Sequence, residues 1–278
     1  MSNPVFERMR DKRGYATFGP PGARERAQES YGGYGRGYGA PADLEEMYSR
    51  PAATPVDTGR MTYDDVVVKT ASVFGVLLLA AVVGWNITGL VFVGLIGGLV
   101  LGLVNAFKRN PSPALILAYA AFEGLFLGGV SNFIQTRGYV ADGHPLDGIV
   151  AQAVLATLCV FAAVLVGFRS GKLRTSPKLT RIVMIAMGGY LLFSLVNVGL
   201  MAFAGHSSLR TGGFGLLIGA LAVLLASYSL VMDFEFIRAG VEQGAPRKYA
   251  WTAAFGLTVT LVWLYLEILR ILAILRES

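Results

Sequence analysis

Seven long apolar segments occupy the sequence after about residue 65, and they constrain the fold more than any other feature. Each is close to the ~20 residues that an α-helix needs to cross a bilayer at about 1.5 Å per residue. The continuous apolar runs lack the alternation that is typical of a β-barrel strand. The sequence therefore predicts an all-α polytopic membrane protein with seven transmembrane helices. The predicted helices cover residues 66–85, 90–107, 113–134, 149–168, 182–204, 213–237 and 249–275.

Composition and charge agree with a membrane protein. The chain is 54% hydrophobic and 15% charged, which is too apolar for an ordinary soluble domain. Its formal net charge of +6 comes largely from basic residues in short loops between apolar segments, not from a surface stripe. We therefore expect the lipid bilayer as a partner and no nucleic acid. The single cysteine, Cys159, excludes an internal disulfide and a thiolate metal cluster.

Residues 1–64 differ from the rest of the chain, because they contain no apolar run and are rich in Gly, Tyr and Pro. Such a composition buries too little apolar surface to offset the entropy of ordering. We expect a disordered tail at 1–64 and a transmembrane domain at 65–278. A secretory signal needs an apolar core close behind the start, so we expect the tail to remain attached.

The basic residues of the loops predict the orientation in the membrane. The connections after the second, fourth and sixth predicted helices collect Lys and Arg, whereas Arg137 and Arg210 are the only basic residues of the alternate connections. Cytoplasmic loops are enriched in Lys and Arg. We therefore expect a cytoplasmic N-terminus and a C-terminus on the outer side of the membrane.

Glycines four residues apart recur in three of the predicted helices. In lipid this spacing allows two helix backbones to approach closely, and it signals packing rather than chemistry. The pairs are Gly98 and Gly102, Gly124 and Gly128, and Gly215 and Gly219.

Three carboxylic acids lie within the predicted helices: Glu123, Asp233 and Glu267. An ionised carboxylate inside the bilayer costs at least ~3 kcal/mol, so each acid is a candidate functional residue. Each also has a structural interpretation. Asp233 is near the cytoplasmic end of its helix, from which its carboxylate can reach water, and Glu267 can pair with Arg270 at i+3. Glu123 can be a neutral packing acid.

Two polar neighbours surround Asp233 on its predicted helix. Ser229 lies four residues earlier on the same face, where its hydroxyl can bond either the carboxylate or its own helix backbone. Glu235 points elsewhere, and we expect it to form a membrane-surface ion pair with Arg238.

Three segments of the chain resemble the corresponding segments of the Bax inhibitor-1 (transmembrane Bax inhibitor motif) family: AFEGLFLGGVSNF, YSLVMDFEFI and LYLEILRIL. The chain resembles a bacterial-type member of that family. The number of helices and the cytoplasmic N-terminus match as well. The resemblance covers about residues 63–275, and the Gly/Tyr-rich tail lies outside it.

This resemblance implies a bundle with helix 7 at its centre, in which Asp233 and Glu267 form a proton-sensing pair. The family usually has aspartate at the second position, and the interval of 34 residues between the two acids is longer than usual. Arg109 or Lys108 is then the candidate latch for the pair. Members of the family are described as pH-sensitive calcium leaks, as suppressors of cell death in eukaryotes, and as regulators of membrane proteases in bacteria.

Two neighbouring carboxylates in a low-dielectric bundle share a proton, which favours a pH switch. Ionised, they offer a weak calcium site, since calcium takes about 6 to 8 oxygen ligands. The leading hypothesis is a pH-sensitive cation leak without a resident cofactor. The alternative is a membrane regulatory protein that modulates a membrane protease or a stress or death pathway. We do not expect an enzyme, because HxxxH, HExxH and GxSxG motifs are absent from the sequence.

Overall fold

The computed structural model describes residues 59–137, 148–203 and 209–277, so most of the predicted tail lies outside the described residues. Within these ranges the chain forms seven α-helices, all long and apolar enough to cross a membrane. This confirms the predicted all-α fold class. The helices are α1 (Tyr63–Asn86), α2 (Val91–Phe107), α3 (Pro113–Arg137), α4 (Ile149–Arg169), α5 (Pro177–Phe203), α6 (Gly212–Glu242) and α7 (Tyr249–Glu277).

Local sequence signals set the start of several helices. Thr62 caps α1, since its hydroxyl oxygen accepts a hydrogen bond from the Asp65 amide at 3.1 Å. Proline begins both α3 and α5, as its missing N–H permits at the first helical position. α5 and α6 extend further than predicted, to Pro177 and Glu242, because their polar terminal turns continue the helix beyond the apolar residues on which the prediction rests.

The closest helix packing is between α1 and α3, and glycines permit it. A Cβ atom added to Gly128 would lie 1.9 Å from the carbonyl oxygen of Ala81, and one added to Gly124 would lie 2.2 Å from that of Leu77. Only glycine fits such an approach between two backbones. The packing role predicted for this glycine pair is confirmed.

α7 packs against α1, α3, α4 and α6. Its small and branched residues Ala254, Leu264 and Leu269 are fully buried in these contacts. α5, in contrast, packs mainly against α6 and exposes most of its apolar side chains. The position of α7 at the centre of the bundle stays a prediction.

Residues 59–62, which we call the N-terminal strap, lie across the connection between α6 and α7. The Met61 amide donates to the Ala245 carbonyl at 2.8 Å, and the Arg247 amide donates to the Gly59 carbonyl at 2.8 Å. The Met61 side chain is buried, and Arg247 Nε donates to Asp65 Oδ1 at 2.6 Å. The strap therefore fixes the start of α1 to the α6–α7 connection.

Candidate functional site

Asp233 is a partly buried carboxylate on α6 that faces α7. The Thr260 hydroxyl donates a hydrogen bond to Oδ2 at 2.7 Å. A Cβ atom added to Gly256 would lie 3.1 Å from Oδ1, so the glycine leaves room for the carboxylate. Both contacts are uncharged, and among the described residues Asp233 has no salt-bridge partner. Asp233 is therefore an acid within a transmembrane helix whose charge no side chain of the described ranges neutralises.

The two polar neighbours of Asp233 on α6 do not hydrogen-bond to its carboxylate in the described chain. The Ser229 hydroxyl donates to the Leu225 carbonyl at 3.0 Å, so of the two alternatives the bond to its own helix backbone is the one formed. The predicted pair between Glu235 and Arg238 is wrong. Arg238 Nε instead donates to Glu242 Oε1 at 2.7 Å, because the i+4 residue lies on the same exposed face one turn further on.

Glu267 lies in a different environment, which we call the Arg210–Glu267–Tyr190 network. The side chain of Glu267 is only 4% exposed, and Arg210 Nη2 donates to its Oε2 at 2.6 Å. The Tyr190 hydroxyl donates to Oε1 and accepts a second hydrogen bond from Arg210 Nη2 at 2.5 Å. The network joins α5, the residues just before α6, and α7 through one buried ion pair.

The predicted pair between Glu267 and Arg270 is present, but it is the weaker of two. Arg270 Nη1 lies 3.4 Å from Glu267 Oε1, and the Arg270 side chain is 39% exposed. Sequence reasoning placed Arg210 in an outer loop and therefore missed the stronger partner. The available signal was a lone basic residue directly before a long apolar segment, although the acid that it meets depends on how the helices pack.

The two acids do not form the hydrogen-bonded pair that the family resemblance implied. Asp233 meets α7 at Thr260, and Glu267 lies seven residues further along α7, about 10 Å along the helix axis. Each acid has its own partner, so a shared proton is not part of this arrangement. The candidate latch residues Lys108 and Arg109 are exposed in the α2–α3 connection. In the described parts of the chain, neither donates a hydrogen bond to Asp233 or Glu267.

Glu123 lies between α2 and α3. A Cβ atom added to Gly98 of α2 would lie 2.6 Å from Glu123 Oε2, so the carboxylate packs directly on the glycine. Tyr119, one turn earlier on α3, packs edge-on against Phe255 of α7 with ring centroids 5.1 Å apart. Glu123 is therefore a packing element of the α2–α3 contact, and a functional role for its carboxylate stays a prediction.

A metal centre built from several acids or histidines does not occur in the described residues, where no group of three or more His, Cys, Asp or Glu side chains is placed to hold a metal ion. The two histidines, His144 and His206, lie outside those residues. The two-carboxylate calcium site stays a prediction, and its two acids have separate partners in this structure.

Comparison with known proteins places the chain in a family. The model of a family described as Bax inhibitor 1 like matches residues 3–277. The match includes most of the tail, which we expected to lie outside the resemblance. No curated protein matches the chain. Because the family model covers nearly the whole sequence, and because the seven apolar helices agree with it, the chain belongs to the Bax inhibitor 1 like family.

Proposed function

We propose that the protein is a pH-sensitive cation leak of a bacterial plasma membrane, with calcium among the permeant ions and with Asp233 and Glu267 as the acids that interact with them. Family membership supports this proposal, since a calcium leak is what the resemblance implies for its members. The loop charges support a cytoplasmic N-terminus and an outer C-terminus.

The observation that carries the proposal is the environment of Asp233. An ionised carboxylate within a transmembrane bundle is costly unless a positive charge accompanies it. The side chains that contact Asp233 from α7 are uncharged, so its charge is balanced either by a proton or by a cation that enters the bundle. A carboxylate oxygen beside a threonine hydroxyl is a hard oxygen site of the kind that calcium accepts.

The sign of the pH dependence follows from this choice between a proton and a cation. At low pH Asp233 is protonated and neutral, so it attracts no cation and the leak is suppressed. As the pH rises the carboxylate ionises, attracts cations and permits their passage. Glu267 already has Arg210 as a partner at 2.6 Å, so we assign the main pH response to Asp233.

The test is calcium flux into liposomes that contain only this protein and an enclosed calcium indicator. The leak of the wild type should rise with pH, and Asp233→Asn should give a low leak that no longer depends on pH. Glu235→Gln, a change of another α6 acid that does not contact Asp233, is the matched control and should follow the wild-type curve. Wild-type flux no greater than that of empty liposomes would refute the leak and favour the regulatory alternative.

A further inference from the structure

Arg210 is placed unlike any other basic residue of the described chain, because its side chain is 6% exposed although it lies just outside a transmembrane helix. Its guanidinium reaches Glu267 of α7, and its Cζ atom lies 5.1 Å from the centre of the Tyr190 ring. The Tyr190 ring in turn packs against Trp263 of α7 with centroids 5.5 Å apart. The charged side chain thus contacts an acid and a phenol, and the indole of Trp263 packs on the phenol ring.

The guanidinium contacts the oxygen atoms that a bound cation would use. Arg210 Nη2 lies 2.6 Å from Glu267 Oε2 and 2.5 Å from the Tyr190 hydroxyl. A metal ion such as calcium binds carboxylate and hydroxyl oxygens at about 2.3 to 2.6 Å. The positive charge of Arg210 and that of a diffusing cation cannot both occupy this position, because the two charges repel each other at short range in a medium of low dielectric constant.

We propose that the Glu267 carboxylate and the Tyr190 hydroxyl form a cation site, and that the guanidinium of Arg210 occupies this site and competes with cations for it. A cation binds Glu267 only after it displaces Arg210. The tether gives Arg210 an effective concentration in the millimolar range or above, so dilute cations compete poorly. Arg270 is a weaker competitor, since it lies 3.4 Å from the carboxylate and is more exposed.

For transport, this inference rests on the proposed cation leak, in which Glu267 exchanges its internal partner for a permeating ion. The two acids then have different roles in transport. Asp233 is open to cations whenever it is ionised, whereas Glu267 admits a cation only when Arg210 has left. The competition between Arg210 and a cation at Glu267 can be tested in detergent, where no ion crosses a membrane.

The neighbouring Trp263 makes cation binding at this site measurable by luminescence. Trp263 lies beside Tyr190, and excitation of an indole sensitises the luminescence of a terbium ion bound close to it. The experiment titrates the purified full-length protein in detergent with Tb³⁺ alone at neutral pH. The variants are Arg210→Gln, Arg210→Lys, and the combinations of Arg210→Gln with Glu267→Gln and with Trp263→Phe.

Removing the guanidinium removes a charge-assisted hydrogen bond of about 1.5 to 3 kcal/mol, so Arg210→Gln should tighten Tb³⁺ binding about 10- to 100-fold relative to the wild type. Adding Glu267→Gln should abolish the gain, and adding Trp263→Phe should weaken the luminescence that is excited through the indole. Wild-type binding in folded Arg210→Gln, or a gain that persists without Glu267, would overturn the proposal.

Arg210→Lys keeps the positive charge but loses the planar guanidinium. It therefore serves as a second test variant in case Arg210→Gln does not fold. It should bind Tb³⁺ more tightly than the wild type and more weakly than Arg210→Gln. If Arg210→Gln does not fold, wild-type binding by Arg210→Lys overturns the proposal. The liposome assay is read separately. Tighter Tb³⁺ binding without calcium flux refutes the leak alone, whereas flux without tighter binding refutes the competition alone.

Discussion

Breaking the buried ion pair of the Arg210–Glu267–Tyr190 network should destabilise the protein more than removing both charges together. The side chains of Arg210 and Glu267 are 6% and 4% exposed, so water does not screen the charge that is left behind. Removing one partner of such a pair costs about 3 to 5 kcal/mol, whereas replacing both by apolar residues of similar size is often neutral or stabilising. Arg210→Met and Glu267→Met should therefore each be costly, and the double variant should be more stable than either.

Thermal unfolding in detergent, followed by circular dichroism, measures the effect. At about 2 to 4 °C per kcal/mol for a chain of this size, each single variant should lower Tm by about 6 to 20 °C. The Arg238–Glu242 pair is the matched control, since its side chains are 42% and 57% exposed. Breaking an exposed i,i+4 pair costs about 0.3 to 0.5 kcal/mol, and Tm should fall by no more than about 2 °C.

The double variant shows whether Arg210 and Glu267 stabilise the bundle as a pair. If the two buried charges act as a unit, the cost of the double variant falls well below the sum of the single costs. Independent residues give costs that add within about 0.5 kcal/mol. Additive costs for Arg210→Met and Glu267→Met would refute the claim that the two side chains stabilise the bundle as a pair.

Four further predictions concern packing, the tail and topology. Gly128→Ala should cost about 1 to 3 kcal/mol in thermal unfolding because its Cβ meets the Ala81 carbonyl, whereas Gly188→Ala, whose Cβ meets open space, should not destabilise the protein. Deleting residues 2–58 should leave Tm nearly unchanged, as expected for a segment without a core-forming pattern, and Met61→Ala in the strap should cost about 2 to 5 kcal/mol. A reporter at the N-terminus should face the cytoplasm and one at the C-terminus the opposite side, and finding both on one side would contradict the proposed orientation.

The fold could be predicted from the sequence because the requirement to span a bilayer acts on each segment by itself. A run of apolar residues long enough to cross the membrane forms a helix whatever its neighbours are. The same reasoning began α5 too late and ended α6 too early, since the hydropathy falls at the membrane surface whereas the polar terminal turns of both helices remain helical. The glycine pairs also predicted close packing, because the absence of a side chain is visible in the sequence itself.

The partners of the acids could be predicted only where they lie on the same helix. The contact of Arg270 with Glu267 follows from i+3 spacing. Thr260 lies 27 residues from Asp233, and Arg210 lies 57 residues from Glu267, so both contacts depend on how α6 and α7 are aligned. No local pattern encodes that alignment, and the expectation that the two acids meet each other rests on the family resemblance alone.

The N-terminal strap has a consequence for how the protein is made. Asp65 of α1 and Arg247 of the α6–α7 connection, whose salt bridge accompanies the strap contacts, are separated by 182 residues. At a synthesis rate of about 5 to 20 residues per second, roughly 10 to 35 s pass between the appearance of Asp65 and that of Arg247 on the ribosome. During this interval α1 enters the membrane with Asp65 and the Met61 side chain still without their final contacts. The first helix to be inserted is therefore among the last to complete its contacts. The start of α1 lacks its contacts with the α6–α7 connection until that connection has been synthesised.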